Sequence, residues 1–147
     1  MTGVSLAPFM MHSREEFQTW LALDLEVREE LYAVIGRELP PDAESLDTLE
    51  AFLLGRYPDP AAAVTLEHRG ITDAAARHIG LVFVLNVDDA VWDIELDDED
   101  RVFYRLPVVR FGDGAEECPL TLATASLDRR TGQYLRTVIE NYQEKYS

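Results

Sequence analysis

Apolar residues in the first third of the chain recur at three- and four-residue intervals, the spacing of an amphipathic helix. The stretch 13–16, Ser-Arg-Glu-Glu, has the form of a capping box and predicts a helix start at Ser13. Asp24 interrupts the apolar stripe behind it, so the pattern allows either one long helix or two shorter ones. Gly36 and the pair Pro40-Pro41 end this segment.

Two further helices are predicted between residues 45 and 70. The first covers residues 45–57 and is stopped by Pro58. The second is short, with Asp59 as N-cap and Pro60 at the first helical position, and it closes near Gly70.

A fourth helix has the clearest pattern, since the apolar residues of 75–86 share one face. Thr72 is the predicted cap. Gly80 lies in the helix interior, where glycine costs about 1 kcal/mol relative to alanine. We therefore expect Gly80 to allow a close approach by another element.

The period changes from 3.6 to 2 after residue 90. Trp92, Ile94 and Leu96 alternate with acidic residues, which predicts a half-buried strand. Residues 97–100 form a turn, and the β-branched and aromatic stretch 102–111 predicts a second strand.

Pro107 places that second strand at a sheet edge or at a bulge, because proline has no backbone donor. A turn at 112–114 and a third strand at 118–124 follow. The last helix is predicted to begin between Asp128 and Thr131.

This order of elements predicts an α+β fold as a single domain over residues 1–147. N-terminal helices precede a three-stranded antiparallel meander, and a C-terminal helix packs on the sheet. The alternating strand pattern suits a sheet with one face on the core.

Charge narrows the range of partners. The formal net charge is −15, from 28 acidic and 13 basic residues. A surface of this charge repels nucleic acids and anionic membranes on average, and it attracts basic proteins. We expect neither nucleic acid nor membrane as a partner.

The expected location is the cytoplasm. Cys118 is the single cysteine, so no intrachain disulfide can form. No basic residue precedes the short apolar patch near the start, unlike a secretory signal. The longest apolar run, 79–87, is far shorter than the roughly 18 residues of a membrane span.

Residues 88–100, DDAVWDIELDDED, form the most unusual segment, with eight carboxylates and no basic side chain. The spacing does not fit a calcium-binding EF-hand loop, which needs glycine at position 6 and glutamate at position 12. A looser site at Asp97, Asp98 and Asp100 stays open. The other readings are a solvated hairpin protected from edge-to-edge aggregation and a recognition surface for a basic protein.

Other candidate sites are weaker. The three histidines, His12, His68 and His78, lack the spacing of a helical metal pair, and no metal or other cofactor is expected. Arg129 and Arg130 stand at a predicted helix start, where free N–H groups attract anions, which makes a weak anion site.

Three stretches together resemble uncharacterised bacterial domains, mostly from actinobacteria. They are AARHIGLVFVLN (75–86), VFYRLPVV (102–109) and CPLTLATASLDRRTGQYLRTVIE (118–140). The family has a Gly-Gly pair before the tryptophan, where this chain has Asp89-Ala90-Val91. The resemblance implies an α+β fold and no catalytic residue.

The leading hypothesis is a non-enzymatic binding protein that engages a basic protein, with a toxin-neutralising immunity-type protein as its most concrete form. Trp92 is the expected anchor if it is exposed. The partner-binding residues are Asp88, Asp89, Trp92, Asp93, Glu95, Asp97, Asp98, Glu99 and Asp100.

Three alternatives remain open. One is an enzyme or small-ligand protein with a pocket near Cys118 and His78, and with Arg130 as a further candidate. The others are a homodimer that pairs through a sheet edge and a protein that imitates the charge of DNA. The chain is expected to be a monomer or a homodimer.

Overall fold

The fold consists of a helical body and a small sheet. In the computed structural model, which describes residues 4–147, these residues form seven α-helices, one short 3₁₀ helix and one antiparallel sheet of order β1-β2-β3. This confirms the predicted α+β class. In chain order the elements are the 3₁₀ helix Ala7–Phe9, α1 Arg14–Ala22, α2 Asp24–Ile35, α3 Ala43–Arg56, α4 Pro60–Ala63, α5 Arg69–Asn86, β1 Val91–Asp93, β2 Val108–Arg110, β3 Glu116–Glu117, α6 Pro119–Arg129 and α7 Tyr134–Lys145.

Short polar side chains cap three of the helices, and two of these caps, Ser13 and Asp59, lie where the sequence predicts. The Ser13 hydroxyl accepts from the Glu16 N–H at 3.1 Å. Asp42 caps α3 and Asp59 caps α4, each accepting an N–H three residues on. Each cap satisfies one of the unpaired donors of a first turn. Asp24 divides the N-terminal segment, because α2 begins there.

The start of α5 differs from the prediction. The short helix α4 ends at Ala63 and does not continue toward Gly70, which already belongs to α5. Thr72 is buried inside α5, and its hydroxyl donates to the Ala63 carbonyl at 2.6 Å. Thr72 therefore ties α5 to the end of α4, and it is not the N-cap of α5, which is His68.

Gly80 has the predicted role. The Trp92 ring lies directly against it, and a Cβ at this position would overlap the ring. The close approach brings β1 onto α5, so the glycine positions the sheet on the helical body.

The sheet is smaller than the sequence predicts. β1 stops at Asp93, and residues 101–106 make turns in which Arg105 has a left-handed backbone with φ of 64°. β2 is the central strand, and Pro107 precedes it. The prediction of an edge or bulged strand around Pro107 is therefore wrong.

The predicted third strand at 118–124 is also wrong. These residues begin helix α6, with Cys118 as N-cap and Pro119 at the first helical position. Leu120, Ala123 and Leu127 lie on its buried side at helical spacing. The third strand is the preceding Glu116–Glu117, which pairs with β2.

The last helix begins later than predicted. Arg130 and Gly132 both have left-handed backbones, with φ of 54° and 82°. These residues end α6 and turn the chain, and α7 starts at Tyr134. α7 packs chiefly on α3 and α6. It reaches the sheet through the Tyr142 hydroxyl, which donates to Glu117 at 2.8 Å.

The main core surrounds α5, which packs against α2, α6 and the sheet. Its largest fully buried apolar side chains come from α2 to α7. They include Leu31, Leu46, Leu49, Leu53, Tyr57, Ile79, Phe83, Leu127, Leu135 and Ile139.

Candidate functional site

The acidic segment 88–100 does not form one uniform surface. Asp88 and Asp89 are exposed in the connection between α5 and β1. Asp93 lies on β1, and Glu95 follows it. The remaining four carboxylates form an exposed loop at residues 97–100, which we call the acidic loop.

Two of the predicted partner-binding carboxylates make contacts within the protein. Asp93 forms a salt bridge with Arg110 on the neighbouring strand, and Arg14 lies 3.7 Å away. Glu95 accepts the backbone N–H groups of Asp97 and Asp98, both at 3.1 Å. These two hydrogen bonds lower the pKa of Glu95. Asp93 therefore joins two strands, while Glu95 holds the acidic loop in shape.

The acidic loop itself is exposed and charged. Among residues 4–147, no arginine, lysine or histidine forms a salt bridge with Asp97, Asp98, Glu99 or Asp100. The adjacent Arg101 pairs with Glu116 on β3 at 3.1 Å. Four uncompensated carboxylates in a row remain available to a partner.

Trp92 is not an exposed anchor. Its ring is half-buried against Gly80 and makes an edge contact with Trp20, with ring centroids 4.9 Å apart. The sequence favours Trp92 as an anchor only if the ring is exposed, and this condition is not met, because the close approach at Gly80 turns the ring inward.

The acidic loop does not assemble a metal site. Over the described part of the chain, no group of three or more His, Cys, Asp or Glu side chains is arranged to hold a metal ion. The looser site considered for Asp97, Asp98 and Asp100 is therefore not formed. A hard cation needs converging oxygens, and these side chains lie along an extended turn.

Arg129 and Arg130 do not lie at the helix start on which the expected anion site depends. They lie at the C-terminal end of α6. The Arg130 guanidinium donates to the carbonyls of Leu54, Tyr57 and Pro58, all at 3.0 Å. Arg129 lies over the Tyr134 ring, 5.0 Å from its centroid. Arg130 therefore caps the end of α3, where carbonyl groups lack helical partners.

Cys118 and His78 do not make a catalytic pair. Both are fully buried. The Cys118 thiol lies 3.6 Å from the Pro107 carbonyl, and burial raises its pKa to about 11. A thiol with this pKa is a poor nucleophile at neutral pH. The two ring nitrogens of His78 have other partners, Tyr32 and Ser45.

The His78 hydrogen bonds form a directed chain. The Ser45 hydroxyl donates to the Asp42 carbonyl at 2.7 Å, so its oxygen accepts from His78 Nε2 at 2.8 Å. His78 Nδ1 then accepts from the Tyr32 hydroxyl at 2.8 Å. This network assigns neutral imidazole. Burial, with a smaller contribution from Arg28, lowers the pKa of His78 to about 4.

The structure also contains a groove that the sequence does not reveal. It has a volume of about 700 Å³ and lies between the 3₁₀ helix with α1 on one side and the first half of α5 on the other. We call it the apolar groove. Its apolar lining consists of Pro8, Phe9, Met11, Trp20 and Leu23. The sequence gives only a weak indication of this groove, because the pattern of its apolar residues is equally typical of core positions.

The floor of the groove is a fixed polar network. Arg77 is 3% exposed and lies over the Trp20 ring, 4.0 Å from its centroid. Its Nε donates to Asp73 at 2.8 Å, and the Trp20 indole N–H donates to the same carboxylate at 3.0 Å. These contacts hold the Trp20 ring in place in the floor of the groove.

Comparisons with known proteins identify no relative, since no family model, curated protein or solved structure matches the chain. The resemblance over residues 75–140 therefore stays an expectation. No helix in the described part of the chain is both long enough and apolar enough to span a bilayer.

Proposed function

We propose that the protein binds a basic protein partner through the acidic loop, residues 97–100, with Asp88 and Asp89 adding to the negative field. One observation carries this proposal: these six carboxylates are exposed, and no described residue forms a salt bridge with them. Asp93 and Glu95 of the same segment have internal partners and are not contact residues in this proposal.

Charge of this kind acts mainly on association. Complementary potentials accelerate the encounter of two proteins and suppress binding of partners with the wrong charge. The net charge of −15 favours the same class of partner. A toxin-neutralising immunity-type protein is the most concrete form of the proposal, because that role needs a complementary surface and no chemistry of its own.

The test uses a matched pair of variants. Asp97→Asn, Asp98→Asn and Asp100→Asn remove three charges from the acidic loop. Glu26→Gln, Glu29→Gln and Glu30→Gln remove three exposed charges from α2. Both triple variants change the net charge equally, so any difference between them reports the location of the charge.

Wild type and both variants are immobilised and exposed to lysate of the source organism at low and moderate salt, with bound proteins identified by mass spectrometry. We expect one basic protein to be retained by wild type and the α2 variant and lost by the loop variant. Its association rate should fall as salt rises. Equal retention by all three proteins would contradict a role for the acidic loop.

A further inference from the structure

We infer that the apolar groove receives an apolar side chain from a basic segment of the partner that the acidic loop attracts. This inference rests on the proposed function and adds the second half of the interface. The acidic loop supplies long-range attraction, and the groove supplies burial of apolar surface.

The groove has the size and lining of a binding surface. Its volume of about 700 Å³ lies within the range of about 300–1,000 Å³ typical of ligand sites. Leu23 at its edge is 42% exposed, so its lining is open to solvent. Occupation by an apolar side chain would remove this surface from water.

The charges around the groove favour a basic occupant on the α1 side. Glu15 and Glu16 line this side, and both are exposed. In the floor, Asp73 and Arg77 neutralise each other. Arg69 stands on the opposite wall, and its Nε donates to the Val64 carbonyl at 2.9 Å. Glu16 also accepts the backbone N–H of His12. Among the described residues neither Glu15 nor Glu16 forms a salt bridge, so the groove carboxylates without a cationic partner lie along α1 and favour a basic segment on that side.

Direct contacts connect the groove to the chain that carries the acidic loop. The N–H of Met11, a groove residue, donates to the Arg105 carbonyl at 2.8 Å, and Arg105 follows the loop by five residues. Arg14 on α1 approaches Asp93, just before the loop, at 3.7 Å. These two contacts attach the α1 side of the groove to the chain before and after the acidic loop, which supports a single partner that covers both.

A separate apolar contact is needed because the acidic loop lacks an anchor. Interfaces derive most of their binding energy from a few buried residues, with aromatic side chains prominent among them. Trp92 is turned inward against Gly80. Val102, next to the loop, is 83% exposed but small. The apolar groove provides the apolar contact surface that the acidic loop lacks.

The probe is a pair of synthetic helical peptides without tryptophan. One has leucine at every third and fourth position and lysine elsewhere, and the other has glutamine in place of each leucine, so their charges are equal. The full chain contains two tryptophans, which give two indole N–H signals in a nitrogen–proton NMR spectrum. The variant Trp92→Phe assigns the signal of Trp20, the tryptophan that lines the groove.

We expect the leucine–lysine peptide to shift the Trp20 signal and to bind at least about tenfold more tightly than the glutamine–lysine peptide. Gly70→Arg should block the groove, because Gly70 lines it and an added Cβ meets nothing within 4 Å. Gly55→Arg is the matched control, since Gly55 has the same open surroundings in α3, away from the groove. We expect Gly70→Arg to weaken leucine–lysine binding about tenfold and Gly55→Arg to leave it unchanged.

The outcomes separate this inference from the proposed function. Equal affinities of the two peptides, with no effect of Gly70→Arg, would overturn the groove inference and leave the acidic loop as a binding site if its triple variant weakens both peptides. If Gly70→Arg weakens peptide binding and the triple variant of the acidic loop does not, the result would support the groove inference and contradict the proposed role of the loop. Absence of binding by either peptide would overturn the inference.

Discussion

Charged side chains are exposed in one region of this protein, the acidic loop, and buried with hydrogen-bond partners in another, the helical core. In the acidic loop, four carboxylates in a row face solvent, and none of them forms a salt bridge with a residue of 4–147. In the helical core, Glu50, Arg77 and His78 are almost fully buried, and each has specific hydrogen-bond partners. Burial of an unpaired polar group is costly, so the core groups are committed to structure. The exposed carboxylates of the loop have no such structural role and remain free to act on another molecule.

Glu50 shows how such a commitment works. Helix α7 begins without a capping side chain of its own. The buried Glu50 carboxylate of α3 accepts the N–H groups of Leu135 at 2.8 Å and Tyr134 at 3.3 Å. A negative charge at a helix N-terminus is also favoured by the helix dipole. One acidic residue therefore docks α7 on α3.

The largest expected effect comes from a substitution that removes the contact of Glu50 with α7. Glu50→Ala should lower the free energy of unfolding by about 3 kcal/mol, because two backbone donors lose a charged acceptor in a buried place. Urea denaturation followed by circular dichroism measures the change. Glu50→Gln should cost less, since its carbonyl oxygen still accepts one bond, and the exposed Glu44→Ala in the same helix should change stability by under about 1 kcal/mol. A loss at Glu44 equal to that at Glu50 would contradict the contrast between buried and exposed carboxylates.

A second prediction concerns the pH dependence that His78 imposes on the core. Above pH 6.5 the imidazole is neutral in both folded and unfolded chains. Below that pH the unfolded chain takes up a proton, while the folded chain resists until the pH nears 4. Stability attributable to His78 is therefore lost as the pH falls from 6.5 to 4, by about 3 kcal/mol in total.

The control for this effect is His78→Gln, which cannot titrate in this range. It should be less stable than wild type at pH 7, because it disturbs the hydrogen bonds to Tyr32 and Ser45. Its stability should fall less steeply between pH 6.5 and 4. Denaturation curves at three pH values test the slopes, and parallel slopes would show that His78 is not the responsible group.

The smallest expected effect is in the acidic loop. Asp97→Asn, Asp98→Asn and Asp100→Asn together should alter the free energy of unfolding by under about 0.5 kcal/mol. Exposed side chains without partners contribute little to stability, and an amide oxygen at position 98 can still accept the N–H of residue 100. Thermal denaturation measures this. A large decrease in the free energy of unfolding would mean that the loop carboxylates, like the buried polar groups of the core, stabilise the fold.

Local features were predictable because they depend on neighbours in sequence. The predicted caps at Ser13 and Asp59 each accept an N–H three residues away. The break at Asp24 follows from one interruption in the apolar stripe. Residues 118–124 were not predictable in the same way, since a short apolar run fits a buried strand or a buried helix equally.

The candidate site was predictable only in part. The excess of carboxylates at 88–100 is plain in the sequence, and the exposed loop at 97–100 lies within it. Which of these carboxylates lack a salt bridge depends on residues distant in sequence. Arg110, 17 positions after Asp93, forms the salt bridge with it from the neighbouring strand. The apolar groove could not be predicted, since its walls come from α1 and α5.

The sequence by itself determined the α+β class, the starts of α1 and α4, the close approach at Gly80 and the negative charge of the surface. Those properties come from residue type and short-range spacing, which act within one or two turns of the chain. The tertiary structure alone decided the inward turn of Trp92, the capping of α7 by Glu50 and the role of Arg130 as a cap. Each of these depends on a contact between residues far apart in sequence, where packing and the satisfaction of buried polar groups override local preference.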